Sequence, residues 1–552
     1  MILVVPTFKG LVNAVSPRLI AESQSQVASN CRVRNGNIRP LKSNSAEGSP
    51  NLATNAKTIF LYGDTHWFSW DSDVSVVSSP IAQDDYQRVY FTGDGEPKYT
   101  NSSIATGAGV LPFAEYQLGV DNPESFLYSV VYHDQSLDLE EGDDPANYTT
   151  EPESGYINVE TDDDETRFYV CTYVTAYGEE GPPSPITSNI ELFSPSDVVT
   201  LSFYDNGGFG DQNITLRRIY RTATSGDATQ LYLVDEIPVT DASYQDNKQS
   251  YELGALLATD DYDKPPSDMQ GLIVTTFGVA IGFADNAIIP SEPYLPYAYP
   301  IGYRQSLPDN VVGLAEMSGG IVVATDNKPA IMSGTLPDSF TVTVLDAALP
   351  CVSGKSLVDM GEAALYASHD GLVSISQSGA QIITSTLLSK EYWQSLQPET
   401  IRAYRYGEYY VAFYGGTSGF VFDLRNGDFF ELDFYTDAGF YDTKSGKLYL
   451  VVNDALVSFD NGSELTYTWQ SKDFDLTDSM LSCVKIRGES LDNTQFTLTA
   501  DGADILTLSL SGADQFFRLP SFRARRLSFT LSGTDEIESV ILATSPEELR
   551  VG

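Results

Sequence analysis

GVAIGF (Gly278–Phe283), GIVVAT (Gly320–Thr325), AALYAS (Ala363–Ser368), EYYVAF (Glu408–Phe413) and GKLYLV (Gly446–Val451) are five copies of one short apolar pattern, spaced 42, 43, 45 and 38 residues apart. A turn signal and a second strand-like run follow each copy: DNKPAIMSG from Asp326, HDGLVSIS from His369, YGGTSGFVFDL from Tyr414 and NDALVSFD from Asn453. A period near forty with about four short strands per unit is the pattern of β-propeller blades. One such unit cannot cover both faces of its own sheet, so neighbouring units must pack on one another. Hairpins of similar size in a plain sandwich or barrel are the competing reading. The regular spacing favours the propeller over residues 266–462.

Outward from this stretch the chain remains strand-rich. Tyr and Phe, 33 and 27 of the 552 residues, favour strands over helices. Three segments carry weak helical patterns: Arg18–Ala28, Ser389–Ser395 and Pro398–Tyr404. Residues 1–56 read as an N-terminal segment with that first short helix and a hairpin turning at Asn35–Gly36. Residues 57–112 carry TIFLYGDTHWFSW, VSVVSS and RVYFTGDGEPKYT. The last resembles IVVATDNKPAIMSG, so this region is read as a sixth blade or as strands closing the ring from the N-terminal side, which would remove an open edge.

Residues 113–166 read as an acidic connection, with 13 Asp/Glu and no Lys or Arg between Asp134 and Glu165. Such runs are usually solvated. Asp162–Asp164 can chelate a cation, but the ligand order and turn glycine of a calcium loop are missing. Over residues 167–265 short strands recur with turn signals about every ten residues, the pattern of a small antiparallel sandwich inserted into the propeller. TYVTAYGEEGPPSP (Thr172–Pro185) resembles a fibronectin type III domain, and YDKPPSD (Tyr262–Asp268) suits a stiff return linker. Residues 463–552 give seven alternating runs, read as a C-terminal β-sandwich. The expected fold is mainly β, a propeller with an inserted fibronectin-III-like sandwich and a C-terminal sandwich.

Charge narrows the function classes. The chain has 32 basic and 76 acidic residues, a net charge of −44. Wrapping a phosphate backbone needs many Lys and Arg, so nucleic-acid binding is disfavoured. Solubility accounts for acidity of this kind, as does a surface that DNA must pass without sticking. The densest basic feature is Arg518, Arg523, Arg525 and Arg526, four arginines within nine residues. They read either as solvated charges or as a contact to an acidic face of a neighbouring subunit. Cys31, Cys171, Cys351 and Cys483 fall in separate segments without a C-x-x-C pair and read as buried free thiols of a reducing compartment. The first residues lack the basic and apolar regions of a signal peptide, and no run of 18 apolar residues suggests a membrane span.

Catalytic signals are sparse. His66, His133 and His369 lie far apart with no metal-ligand spacing, and no G-x-S-x-G, H-E-x-x-H or P-loop occurs. GDGEPK (Gly93–Lys98) has glycines but no following helix, which argues against a phosphate cradle. Carboxylates are numerous enough that a propeller glycosidase is the main enzymatic rival. A glycan-binding adhesin is another, with EPYLPYAYP (Glu292–Pro300) as its aromatic loop. The expectation is a non-enzyme without cofactor or metal.

Several stretches, in order, resemble one family: SQSQVASNCRVRNGNIRPLKS from Ser23, TYVTAYGEEGPPSP followed by RRIYRTA, DKPPSDMQGL from Asp263, PSEPYLPYAYP from Pro290, the run from Pro337 to Val373, WQSKDF from Trp469, and ARRLSFTLSG followed by ESVILATSPEEL. Together they are similar to the tail nozzle, or tail tubular protein B, of short-tailed bacteriophages, over nearly the whole chain. The resemblance implies a ring, usually of six copies, at the distal end of a virion tail below the portal and adaptor rings. It implies a central DNA-exit channel closed before infection, tail fibre or spike proteins as further partners, and assembly in the host cytoplasm. The chain is shorter than the longest nozzles, so peripheral insertions are expected to be missing.

Overall fold

The computed structural model describes residues 2–132, 165–193, 197–204, 207–223, 230–476 and 481–550. Each apolar run quoted above forms the second strand of a four-strand antiparallel blade: Ala280–Ala284, Gly320–Thr325, Ala363–Ser368, Tyr409–Tyr414, whose blade continues into a larger sheet, and Lys447–Val452. Gly320–Thr325 and Ala363–Ser368 are buried along nearly their whole length. That is why the pattern is a continuous apolar run and not an alternation: a blade is covered on both faces by its neighbours.

Two further sheets complete the ring, the hairpin Thr58–Tyr62/His66–Trp70 and the sheet of Ser75–Ser78, Val89–Thr92, Lys98–Thr100 and Tyr116–Gln117. Shared apolar clusters trace the circuit. Tyr90 and Tyr99 pack with Leu272 and Ala280, Ile281 with Leu314 and Val323, and Val322 with Ala364 and Tyr366. Leu365 then packs with Ala403 and Tyr410, Val411 with Leu448 and Leu450, and Ala438 and Leu456 with Ile59. Phe60 and Phe68 close the circle against Val89 and Phe91. The ring therefore has seven units, with residues 57–112, extended by Tyr116–Gln117, supplying two. Its last blade gains its outer strand from the N-terminal side, as Ala46 and Ser45 pair with Val457 and Ser458.

The inserted sandwich has one sheet of Leu127–Val131, Val198–Ser202 and Ser243–Asp246, and another of Tyr169–Thr175, Ile214–Thr222 and Leu231–Pro238. Tyr169, Cys171, Val199, Leu201 and Ile219 fill its core. This corrects the acidic connection 113–166. Leu127–Val131 pairs with Val198–Ser202 and so already belongs to the sandwich, while Tyr116–Gln117 is the outer strand of a propeller sheet. The acidic run thus joins two strands of one unit; except for Glu165, it and Asp162–Asp164 lie outside the described residues.

The C-terminal sandwich contains all seven expected strands but is not built from 463–552 alone. Ile2–Val5 pairs with Ser539–Ala543 along four residues. Ser25–Ser29 pairs antiparallel with Tyr467–Ser471 and, through Ser29, parallel with the propeller strand Asp428–Leu432. One ten-stranded sheet therefore runs from the blade at Arg402–Leu432 into the C-terminal sandwich. Phe8 sits edge-on to Trp469 at 4.9 Å, and the Trp469 indole N–H donates to the Lys9 carbonyl at 2.9 Å. Residues 1–56 are thus distributed between two units and do not form a segment of their own.

The expected helix Arg18–Ala28 is not found. Its C-terminal part is the strand Ser25–Ser29, because Ser and Gln are indifferent helix formers and the sheet position overrides them. The hairpin at Asn35–Gly36 is present, with both residues at positive φ, 54° and 86°. Lys390–Ser395 is helical, N-capped by Ser389. Of Pro398–Tyr404 only Pro398–Thr400 forms a 3-10 turn, and Arg402–Tyr406 is a blade strand.

Candidate assembly surface and the propeller cavity

Arg518 ends the edge strand Gln515–Arg518, and Arg526 begins the strand Arg526–Gly533. Arg523 and Arg525 lie in the turn between them, which Asp501 pins by accepting the backbone N–H groups of Arg525 and Arg526 at 3.0 and 2.9 Å. The fold thus brings all four arginines to one end of the C-terminal sandwich, and all are exposed. Arg526 lies 4.0 Å from Asp475. Arg518, Arg523 and Arg525 make no ion pair among the described residues. Phe516 is 46% exposed and, two positions before Arg518, projects on the same side of its strand.

Several basic groups elsewhere are committed to carboxylates. Inside the inserted sandwich, the buried Arg221 reaches Asp246 at 2.9 Å and the buried Arg167 reaches Glu165 at 2.8 Å. Between propeller and insertion, Arg88 pairs with Asp84 at 2.9 Å and with Glu179 at 2.5 Å, all three buried. Burial pushes the Glu179 carboxyl above its ordinary value despite Arg88. The neighbouring Glu180 turns back into the sandwich, onto Thr172, Arg218 and Tyr220.

At the ring centre lies a cavity of about 560 Å³. Its walls come from the first strands of six sheets and from the Gly354–Ser356 turn that leads into the seventh. Arg402 donates two hydrogen bonds to Asp73 there, at 2.6 and 3.1 Å. Burial would raise the Asp73 carboxyl, but the hydrogen bond and charge of Arg402 hold it below its ordinary value. Burial lowers the Lys355 ammonium, against the attraction of Asp73; its Nζ donates to the Val74 carbonyl at 3.3 Å. The cavity is of small-molecule size, too small to pass duplex DNA. Glu399 is its other carboxylate. An Asp73 held ionised by a bidentate guanidinium is a poor general acid, since that role needs a raised value.

The remaining expected features take structural places. His66 opens the strand His66–Trp70 and His369 lies in a turn, both exposed, and His133 lies outside the described residues. GDGEPK is a hairpin turn whose Lys98 is paired with Asp94 and Glu115. In EPYLPYAYP, Tyr299 is buried against Leu272 and Ile289, and Tyr297 packs on Tyr173 and Val239 of the insertion, so the loop is mainly inter-domain packing. All four cysteines are free and buried. Among the described residues no group of His, Cys, Asp and Glu is arranged to hold a metal ion, and no helix is long and apolar enough to cross a membrane.

No protein-family model and no curated protein matches the chain. Solved structures that align with it include BBS1N in complex with ARL6DN, at 9% identity over 76% of this chain and 96% of that one, TM-score 0.30. RRP9 WD40 repeats align at 10% identity over 76% and 99%, TM-score 0.30. BamB from Moraxella catarrhalis aligns at 9% identity over 52% and 81%, TM-score 0.25. Superpositions this loose add nothing about function, and the propeller rests on the seven sheets themselves.

Proposed function

We propose that this chain is a non-enzymatic structural subunit of a bacteriophage tail, one of six copies in a nozzle ring that lines the DNA-exit channel below the portal and adaptor. The family resemblance in the ordered sequence motifs motivates the reading. The observation that carries it is the exposed arginine group, Arg518, Arg523, Arg525 and Arg526, in a chain of net charge −44. Copies this acidic repel one another unless cations or apolar surface are placed where they meet. Three guanidiniums without a carboxylate partner, beside an exposed Phe516, supply such a place. Arginine suits it because its planar fork takes carboxylates in bidentate fashion.

On this reading DNA passes through a channel enclosed by the ring of copies and not through the cavity of each propeller. The sheet shared by propeller and C-terminal sandwich supports a rigid structural part, since the two units cannot hinge freely where backbone hydrogen bonds join them. The test is imaging of the purified chain, alone and with its tail adaptor. Rings with a central hole are expected. A monomer that binds or cleaves host glycans and joins no ring would replace this reading with the adhesin or glycosidase.

A further inference from the structure

An apolar groove of about 570 Å³ opens among the three blades that span 270–290, 311–344 and 358–382. Met332 and Phe340 form buried parts of its lining, and Phe277 stands at its edge, 48% exposed. Glu316, Asp359 and Glu362 also line it, and no Lys or Arg does. Glu316 accepts from the Thr276 N–H and hydroxyl at 2.9 Å, which fixes the carboxylate at the mouth. Asp359 and Glu362 are exposed.

The C-terminal sandwich carries the converse: an exposed aromatic ring, Phe516, amid four exposed arginines. Apolar surface faces apolar surface and cation faces anion only if the two features meet. They belong to different units of the fold, so the contact joins unlike faces of two molecules. Repeated by rotation, such a contact closes into a ring or runs on as a filament.

We propose that the Phe516–arginine end of the C-terminal sandwich docks into the acid-rimmed groove of a second copy of this chain. Phe516 enters between Phe277 and Phe340, and Arg518 with its neighbours meets Glu316, Asp359 and Glu362. The aromatic ring supplies buried area at the centre, and the charges set orientation and exclude like-to-like pairing. The proposal rests on the reading of the chain as a ring subunit and names its two contacting faces.

The test is charge exchange in the full-length chain, with sedimentation velocity over a concentration series and a thermal melt of each variant. Arg518→Glu with Arg525→Glu, or Glu316→Arg with Glu362→Arg, weakens self-association by about tenfold or more. Because the faces are unlike, mixing the two variants restores both contacts of an alternating assembly, one with reversed and one with native polarity, and combining all four changes in one chain restores assembly. A second measurement does not depend on charge. Phe516→Cys and Thr335→Cys chains, mixed under oxidation, give a disulfide heterodimer that neither forms alone as readily, the native thiols being buried.

Failure of rescue together with absence of the cross-link overturns the proposal, as does a wild-type chain that never self-associates. If rings still form with the adaptor in either case, the ring-subunit reading stands and only these two faces are wrong. If no ring forms under any condition, both fall.

Discussion

Arg88, immediately before the propeller strand Val89–Thr92, donates through Nη1 to Oε1 of Glu179 in the inserted sandwich at 2.5 Å, while its Nε holds Asp84 at 2.9 Å. One guanidinium thus serves two carboxylates across a domain boundary. Arg88→Ala leaves both acids buried without a counter-charge and is expected to cost about 3–5 kcal/mol, read by denaturant unfolding. Arg88→Ala combined with Glu179→Gln should recover part of that loss.

The same carboxyl gives a pH signature. Glu179 is raised in the folded state, so the folded chain binds its proton more tightly than the unfolded chain does. Its contribution to stability is greatest below the ordinary value of 4.5 and declines as pH rises through the folded-state value. The stability of the parent relative to Glu179→Gln should therefore fall with rising pH across that window. Asp84, held low once Arg88 outweighs burial, has the opposite sign, and its contribution is lost only in stronger acid. Paired melts in a pH series check both.

Phe8→Ala is expected to destabilise the chain by about 3–5 kcal/mol, since it empties the site beside Trp469. The loss should reach the propeller as well. Gly10 N–H donates to Asp428 Oδ1 at 3.0 Å and Leu11 N–H to the Phe429 carbonyl at 2.8 Å. A single shifted transition, seen alike by probes in the propeller and the C-terminal sandwich, is the predicted result. Two separated transitions would show the units to be uncoupled.

The native thiols should be inert. Burial pushes Cys171 and Cys351 up to about 12 and Cys31 further still. Thiolate is the reactive form, so an aromatic disulfide reagent should find almost no thiol in the native chain and four after denaturation. Rapid native labelling at any of them would contradict the burial.

Duplex DNA should not bind measurably at about 150 mM salt, because nonspecific affinity comes from released counterions and the exposed cations here are few. A gel shift in the micromolar range would contradict this, and titration against salt would count the phosphate contacts involved.

How much was legible follows from what each residue touches. GIVVAT and AALYAS announce the blades because both faces of those strands are covered, and coverage writes itself as an unbroken apolar run. The hairpin Thr58–Trp70 is one two-stranded unit, so it carries no forty-residue period and the blade count stayed open. Ser45–Ala46 is two residues long, and Ile2–Val5 is four. Their partners lie some 400 and 540 residues away, and no local pattern encodes such pairing. Arg518, Arg523, Arg525 and Arg526 are legible as charge, but their exposure and the nearness of Phe516 need the fold. Glu179 and Glu180 are indistinguishable in GEEG, yet one crosses to the propeller and the other turns inward.

The pairing of Ser45–Ala46 with Val457–Ser458, and of Ile2–Val5 with Ser539–Ala543, also sets a schedule for synthesis. Ile2–Val5 and Ser45–Ala46 leave the ribosome long before the strands they pair with. At roughly 5–20 residues per second that wait is about half a minute to two minutes. Through it Ile2–Val5 and Ser45–Ala46 remain unpaired strands, open to whatever is nearby, including other nascent copies. Slowing translation late in the message should therefore lower the soluble yield, whereas slowing it within the inserted sandwich, whose strands pair among themselves, should cost much less.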